Sequence, residues 1–313
     1  MKSMHKPAWF RKVIRPRDLV EMRRLIIKYR LNTVCEEAAC PNRGECYRNK
    51  TLTVMILGRN CTRNCRFCNV ESKWPTGVDH DEPNRVAGAL SELFLDYVVI
   101  TSVTRDDLED GGAGHFACTI RAVRQKNHGT VVEVLVPDFV HAISEVVGEK
   151  PEVISHNVET VPRLYQSVRP QALYERSLSL LARVKELDPE IFTKSGLMVG
   201  LGETYEEVLG VMRDLRAVGC DVITIGQYAR PSRRHIEVSE WIHPRTFDRY
   251  KKEAEELGFL HVESGPYVRS SFHAADFLEK IDSKGLSKPP RHKDTKIGNL
   301  VRFAHNWNIG ILE

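Results

Sequence analysis

Long apolar runs are absent from this chain of 313 residues, and none reaches the ~18–20 residues that a membrane-spanning helix needs. The first residues also lack the apolar segment and small-residue cleavage site of a secretory signal. Internal repeats and long low-complexity tracts are missing too. The net charge of +4 is too small to indicate nucleic-acid binding by itself. We therefore expect a cytoplasmic globular protein with no membrane and no nucleic-acid partner.

Cysteine is distributed very unevenly along the chain. Six of the eight cysteines fall between positions 35 and 68, whereas Cys118 and Cys220 stand alone. Because the cytosol keeps thiols reduced, clustered cysteines indicate metal ligands before disulfides. We expect the two isolated cysteines to be small buried residues.

Apolar, β-rich runs alternate with amphipathic segments from residue 51 onward. Six such runs separated by helical stretches predict βα units, a parallel sheet and the α/β class. An N-terminal extension over 1–50, with a short helix near 16–31, would precede this domain over 51–277, and a basic tail over 278–313 would follow it. The six predicted strands are 52–58, 97–103, 131–137, 153–159, 196–202 and 221–228.

One helix can be predicted in detail. Residues 204–207 have the form of a capping box, and Gly219 is a suitable C-cap. Apolar residues between them recur at i, i+3, i+4 and i+7, which predicts one buried face made of Val208, Val211, Met212 and Leu215.

The first cysteine triplet directly follows the first predicted strand. Cys61, Cys65 and Cys68 have the spacing C-x3-C-x2-C. Three thiolates on one tight loop can bind three irons of a [4Fe–4S] cube and leave the fourth iron open. The alternative is a zinc loop in a non-enzymatic interaction or RNA-binding module. Zinc prefers four closed ligands, usually as two C-x2-C pairs, and the second pair is missing.

This spacing, with Phe67 before the last cysteine, resembles the signature of the radical S-adenosylmethionine (SAM) superfamily. The resemblance implies a partial parallel (β/α)6 barrel of the radical SAM type, with N-terminal and C-terminal extensions. It also implies that SAM binds the open iron and is cleaved reductively to methionine and a 5′-deoxyadenosyl radical. That radical would abstract hydrogen from an unactivated C–H bond.

The second triplet, Cys35, Cys40 and Cys46, has the spacing C-x4-C-x5-C and is again one ligand short. Read with its neighbours, CEEAACPNRGEC followed by CTRNCRFC resembles the lipoyl synthase family. The resemblance extends over roughly 6–275 and includes, in the same order, the blocks at 98–113, 133–139, 156–165, 194–203, 226–228 and 264–274.

The family resemblance implies an auxiliary [4Fe–4S] cluster that is closed by a serine of an Arg-Ser-Ser motif. We expect Ser271 to be that ligand, with Ser270 as the alternative. The family usually has tyrosine after the serines, and Phe272 lacks its hydroxyl. From the residues alone, either serine would be an ordinary hydroxyl that bonds backbone or water.

The same resemblance implies a sulfurtransferase. It would insert two sulfur atoms, drawn from the auxiliary cluster, at C6 and C8 of a protein-bound octanoyl-lysine chain. The implied partners are octanoylated lipoyl carrier domains, namely the E2 subunits of 2-oxoacid dehydrogenases and the glycine cleavage H protein, with reduced ferredoxin or flavodoxin as electron donor. Another sulfur-inserting radical enzyme, acting on a biotin precursor or on tRNA, is the competing hypothesis.

Polar residues at predicted strand ends are the candidates for binding SAM. An amide and a carboxylate there can hold its ribose hydroxyls and amino group, and an arginine can bind its carboxylate bidentately. For the arginines, a surface ion pair is an equally good interpretation. The SAM candidates are Phe67, Thr101, Asn157, Glu159, Arg169 and Arg176. The candidates around the substrate are Arg105, Asp106, Asp107, Gln227 and Arg269, although Asp107 is also a possible helix cap.

Overall fold

The computed structural model describes residues 6–49, 51–139, 141–271, 274 and 277. The predicted tail over 278–313 and the side chain of Phe272 lie outside the described residues. The strands are β1 (Asn32–Thr33), β2 (Thr53–Ile56), β3 (Asn60–Cys61), β4 (Glu71–Ser72), β5 (Tyr97–Ser102), β6 (Val131–Leu135), β7 (Val153–Ser155), β8 (Phe192–Val199), β9 (Val222–Gln227) and β10 (His261–Gly265).

Helices connect most of these strands. They are α1 (Val20–Lys28), α2 (Val34–Glu37), α3 (Arg43–Arg48), α4 (Glu82–Leu93), α5 (Ala113–Lys126), α6 (Ile143–Gly148), α7 (Tyr165–Val168), α8 (Tyr174–Leu187), α9 (Tyr205–Ala217) and α10 (Pro244–Glu256). Short 3-10 turns lie at Ala8–Phe10, Pro16–Leu19 and Pro162–Leu164. Among the helices that the structure describes, none combines the length and the apolar composition needed to cross a bilayer.

The described residues form an eight-stranded sheet in the order β1-β2-β5-β6-β7-β8-β9-β10. Strand β1 is antiparallel to β2, and the other neighbours are parallel. Five of the six predicted runs contain a parallel strand, and the sixth, 196–202, overlaps β8, which begins four residues earlier than predicted. The α/β class and the parallel sheet are confirmed. Strand β10 is a further parallel strand that the sequence did not predict, because HVESG is short and mostly polar.

Alternation along the strands separates two faces of the sheet. On the outer face, Val98, Ile100, Val132 and Val134 join the core that α4 and α5 cover. On the opposite face, one position in each of β6, β7 and β8 carries a buried polar side chain. There the buried carboxylate of Glu133 accepts hydrogen bonds from the residues that its neighbouring strands supply, Ser155 at 2.8 Å and Lys194 at 2.9 Å. This part of the inner face is therefore polar, although it is buried.

The predicted helix after β8 is confirmed as α9. Both hydrogen bonds of the capping box between Thr204 and Glu207 are present, and the four predicted apolar residues are buried. The helix ends at Ala217, one residue earlier than predicted, with Val218 as its C-cap and Gly219 following at φ 80°. Locally encoded signals thus placed this helix to within one residue.

The two isolated cysteines differ from each other. Cys220 is buried, as predicted, whereas the prediction that Cys118 is buried is wrong because its side chain is exposed. The buried face of α5 includes Phe116, Ala117 and Ile120, and Cys118 lies off that face. A helix turns by 100° per residue, so one position decides whether a small residue is covered.

Candidate functional site

The loop that carries the first triplet begins with a left-handed turn. Leu57 and Gly58, directly after β2, have φ angles of 66° and 88°. A non-glycine residue in this region needs support from its surroundings. Both backbone groups of Leu57 have it, because the buried carboxylate of Glu82 accepts its N–H at 2.7 Å and the guanidinium of Arg105 donates to its carbonyl at 3.4 Å. The turn directs the chain into β3, which ends on Cys61.

Neighbouring segments hold the triplet loop in place through its backbone. The N–H of Thr62 donates to the carbonyl of Thr104 beyond β5 at 3.1 Å. The N–H of Arg66 donates to the carbonyl of Val168 at 2.9 Å, and the carbonyl of Arg66 accepts from Ile236 at 3.1 Å. The loop therefore spans the carboxyl ends of several strands, which is where open parallel sheets bind ligands.

The three thiols of this loop influence each other's ionisation. Burial raises the pKa of Cys68 to about 12, and the charges of Cys65 and Cys61 add to the rise. Burial also raises the pKa of Cys65, while the nearby guanidinium of Arg169 opposes it. The three thiols therefore interact in a site that disfavours negative charge. A bound cationic centre reverses that preference, because metal coordination deprotonates thiols outright.

The second triplet is assembled by two short helices. Cys35 lies in α2, Cys46 in α3 and Cys40 between them. Burial raises the pKa of Cys35 to about 12, and the charges of Cys40 and Cys46 raise it further. The backbone of Thr53, at the start of β2, forms a hydrogen bond with the Cys35 thiol that opposes this rise. These three thiols thus also influence one another's ionisation.

The two candidate serines point to different partners. The hydroxyl of Ser271 accepts a hydrogen bond of 2.7 Å from the hydroxyl of Thr53. The hydroxyl of Ser270 accepts one of 2.8 Å from the side-chain amide of Asn157. Because Thr53 also contacts the Cys35 thiol, Ser271 lies on the side of the second triplet.

A buried polar network lies between the two triplets. Asn157 donates to the carboxylate of Glu159 at 3.0 Å, and burial raises the pKa of Glu159 even though Arg169, Asn157 and Arg269 oppose it. Burial lowers the pKa of Arg269, and the charges of Cys40 and Glu159 oppose that fall. Arg269 is therefore electrostatically coupled both to the second triplet and to the network beside the first.

Two buried polar atoms of this network have no hydrogen-bond partner among the described residues, Oδ1 of Asn157 and Nε of Arg169. Buried polar groups are nearly always paired, so a polar ligand fits here. Strand β8 can pass this close to Asn157 because residue 196 is glycine, since a Cβ atom at Gly196 would lie 2.7 Å from Oδ1 of Asn157.

The described part of the chain contains no group of three His, Cys, Asp or Glu side chains that could hold a single metal ion. A [4Fe–4S] cluster makes a different demand, because each thiolate binds a different iron. Each triplet offers three thiols that interact electrostatically with one another, and polar groups lie near them. Because each triplet provides three such thiols, both triplets fit a [4Fe–4S] cluster.

The two predicted SAM-binding arginines differ in environment. Arg169 is buried, and it donates to the carbonyl of Asn157 at 2.9 Å and to the hydroxyl of Tyr165 at 3.2 Å. The side chain of Arg176 is 43% exposed and lies 3.7 Å from the carboxylate of Asp138. The structure thus places Arg169 in the network and Arg176 in an ion pair at its margin.

Arg105 and the two following acids form ion pairs near the first triplet loop. The guanidinium of Arg105 binds both carboxylate oxygens of Asp107, at 2.9 and 2.8 Å. Asp107 therefore does not cap the next helix, whose N-cap is Gly112. The carboxylate of Asp106 accepts instead from Thr62 at 2.7 Å and from Arg63 at 2.7 Å.

The remaining predicted residues have local partners. Thr101 donates to the carbonyl of Leu135 at 2.7 Å. Gln227 is fully buried and uses its amide to hold the loop that follows β9, donating to the Glu240 carbonyl at 3.0 Å. The ring of Phe67 is partly buried in a small apolar cluster with Leu201.

Two residues with clear contacts here were not singled out from the sequence. Asp138 is buried and pairs with Arg63 at 2.5 Å; its position just after a predicted strand was the available signal. Thr53 carried no signal, because a threonine in a strand is ordinary.

Comparison with known proteins identifies the superfamily and closer relatives. A family model described as the radical SAM superfamily matches residues 55–215. The chain is 58% identical over 275 residues to a lipoyl synthase of Caldanaerobacter subterraneus subsp. tengcongensis, covering 87% of this chain and 96% of the relative. It is 54% identical over 285 residues to a lipoyl synthase of Caldicellulosiruptor saccharolyticus, covering 90% of this chain and 100% of the relative.

A solved structure shares the fold. The X-ray structure of the FeFe-hydrogenase maturase HydG from Carboxydothermus hydrogenoformans matches with a TM-score of 0.54 at 15% sequence identity. The match covers 74% of this chain and 65% of that one. At this identity the likeness concerns the fold alone.

Proposed function

The chain belongs to the lipoyl synthase family of the radical SAM superfamily, and we propose that its two cysteine triplets divide the reaction between them. It is a sulfur-inserting enzyme that uses SAM and [4Fe–4S] clusters. Cys61, Cys65 and Cys68 would hold the cluster that provides the electron for SAM cleavage. Cys35, Cys40 and Cys46 would hold the cluster that provides sulfur for C6 and C8 of an octanoyl chain.

Arg169, Asn157 and Glu159 would hold SAM beside the first triplet. Support comes from the electrostatic coupling of Cys65 to Arg169 and Glu159, and from the two unpartnered buried atoms of the network. A buried guanidinium suits the SAM carboxylate, and the amide and carboxylate suit its hydroxyls and amino group. Arg176 is the less favoured candidate because of its exposure and its pairing with Asp138.

Ser271, rather than Ser270, would be the fourth ligand at the second triplet. The observation that carries this assignment is the double role of Thr53, whose backbone contacts the Cys35 thiol while its hydroxyl donates to Ser271. An alkoxide is a hard ligand among soft thiolates. Its weaker hold on iron suits a cluster that must give up sulfide.

The inner face of the sheet would shield the reaction. Around Glu133 it is buried, and the carboxylate of Glu133 is paired with the ammonium of Lys194. Excluding water and fixing the reacting C–H bond beside the 5′ carbon are the contributions that a radical reaction needs from the protein. In this arrangement no side chain acts as a general base.

The partners follow from the family reaction. We propose octanoyl-lysine on E2 subunits or on the glycine cleavage H protein as substrate, and reduced ferredoxin or flavodoxin as electron donor. In this proposal residues 1–50 bring the second triplet to the barrel of 51–277, and the tail over 278–313 follows it. The net charge of +4 gives mild support for an acidic carrier.

Anaerobic reconstitution with turnover on an octanoyl-lysine peptide tests the proposal. We expect about eight irons per chain, as two four-iron clusters require. The product should gain the mass of two sulfurs and lose that of two hydrogens. Zinc without iron would contradict the cluster assignment, and a different substrate would contradict the reaction.

Two variants separate the roles of the triplets. Cys68→Ala should abolish 5′-deoxyadenosine formation. Cys40→Ala should leave SAM cleavage detectable but stop sulfur insertion, and continued product formation would refute the division of labour. Cys118→Ser is the matched control, because this exposed thiol belongs to neither triplet and should leave both activities unchanged.

A further inference from the structure

Asn42 lies between the second and third cysteines of the second triplet, and only 1% of its surface is exposed. It occupies the N-cap position of α3, yet its side chain makes no capping hydrogen bond. Asparagine is among the best N-cap residues, so this amide serves some other purpose at that position.

Both ends of the Asn42 amide reach distant parts of the chain. Its Nδ2 donates to the backbone carbonyl of Tyr267 at 2.8 Å, and its Oδ1 accepts from the ammonium of Lys12 at 2.9 Å. This orientation is chemically fixed, because a flipped amide would set oxygen against a carbonyl and NH2 against an ammonium. Asn42 thus joins the cysteine loop to the segment that begins at Tyr267.

The segment 267–271 is held against the sheet from several sides. The ring of Phe10 stacks on that of Tyr267 with centroids 4.8 Å apart. The carbonyl of Val268 lies so close to Gly226 that a Cβ there would be 2.1 Å from it. The hydrogen bond from Asn42 ties this segment to the cysteine loop at a point between two of the proposed ligands.

We propose that Asn42 is the positioning residue that keeps Ser271 at the second cluster. The inference rests on the proposed role of Ser271 as the fourth ligand. A hydroxyl binds iron less readily than a thiolate does, so its occupancy depends on how well the protein holds it in place. The bond from Asn42 to Tyr267 holds the serine segment at a fixed distance from Cys40 and Cys46.

Asn42→Asp tests this with almost no change in shape. The aspartate still accepts from Lys12, but it presents an oxygen to the Tyr267 carbonyl in place of the donor. In the reconstituted enzyme, we expect the second cluster to lose one iron about fivefold to tenfold faster than in the wild type, as the loss of a buried hydrogen bond implies. Electron paramagnetic resonance would report the resulting three-iron cluster, and iron analysis its extent.

Three comparisons complete the experiment. Asn84→Asp makes the same chemical change on the exposed side of α4 and should retain iron like the wild type. Asn42→Asp combined with Ser271→Cys should recover retention, because a thiolate depends less on being held. Hydrogen exchange of the reconstituted protein should quicken in 262–271 in Asn42→Asp and stay unchanged in α9.

The outcomes separate this inference from the proposal on which it rests. Rapid loss of one iron from Ser271→Ala together with wild-type behaviour of Asn42→Asp would overturn the role of Asn42 and leave the ligand assignment standing. Wild-type iron retention in Ser271→Ala would overturn the ligand assignment itself. Loss of the whole second cluster in Asn42→Asp, without a three-iron stage, would show general support of the loop and also overturn the inference.

Discussion

The hydroxyl of Thr53 donates a hydrogen bond of 2.7 Å to the hydroxyl of Ser271, across a sequence separation of 218 residues. Thr53 begins β2, and Ser271 lies in the segment that follows β10, so the bond joins the first and last parallel strands of the described sheet. If Ser271 binds iron as an alkoxide, a donor aimed at its oxygen stabilises the charged form.

Thr53→Val should therefore slow sulfur insertion selectively. The substitution keeps the shape of the side chain and removes only the donor. We expect lipoyl product to form about tenfold more slowly, since one hydrogen bond to a charged oxygen is lost. The rate of 5′-deoxyadenosine formation should stay near that of the wild type. Thr53→Ser, which retains the hydroxyl, is the control, and equal loss of both activities in Thr53→Val would contradict the selective role.

Arg169→Lys should impair SAM cleavage, whereas Arg176→Lys should not. The bonds to the Asn157 carbonyl and the Tyr165 hydroxyl both come from one guanidinium nitrogen of Arg169. Lysine retains the charge but lacks the planar fork that could also bind the SAM carboxylate bidentately. We expect the free energy of unfolding to fall by about 1–3 kcal/mol, together with weaker SAM binding. Denaturant unfolding and the KM for SAM measure the two effects. A larger KM effect in Arg176→Lys would reverse the assignment of the two arginines.

The free energy of unfolding should fall at acidic pH because His156 is buried as a neutral ring. Burial, reinforced by the charge of Arg169, lowers the pKa of His156 from 6.5 to about 4, so the folded state holds the neutral ring. The neutral ring bonds the Val136 carbonyl and the Ser177 hydroxyl, each at 2.9 Å. The neutral ring contributes up to about 3 kcal/mol to the free energy of unfolding. This contribution is complete above pH 6.5 and is lost as the pH falls toward 4.

The measurement is denaturant unfolding of the wild type and His156→Gln across this pH range. Because glutamine does not titrate, the free energy of unfolding of His156→Gln should fall less steeply than that of the wild type as the pH decreases. Contributions common to both proteins, including loss of the clusters, cancel in the difference. Identical slopes would show that His156 does not carry the effect.

Gly226→Ala should displace the serine-bearing segment. A methyl group there would meet the Val268 carbonyl at 2.1 Å, and the backbone must move to accept it. We expect a loss of about 1–3 kcal/mol in the free energy of unfolding, with sulfur insertion reduced more than SAM cleavage. The control is Gly210→Ala in α9, where a Cβ meets nothing within 4 Å, and a gain of about 0.5–1 kcal/mol is expected. Wild-type stability in Gly226→Ala would contradict the predicted clash.

The sequence by itself determined the features that short stretches of neighbouring residues encode. The spacing of Cys61, Cys65 and Cys68 sets three thiols on one loop, and the capping box at Thr204 fixed the start of α9. Six of the parallel strands followed from alternation between apolar runs and amphipathic segments. These signals are readable because helix and strand periodicities act over a few residues.

Only the tertiary structure decided which distant residues meet. It brought Ser271 to Thr53 and turned Ser270 toward Asn157, although the two serines are adjacent in the sequence. It also added β10, whose polar residues pair only because β9 offers a matching edge. It separated buried Arg169 from partly exposed Arg176, and it left Cys118 on the open side of α5. Such pairings depend on how the whole chain packs, and a window of neighbouring residues contains no record of them.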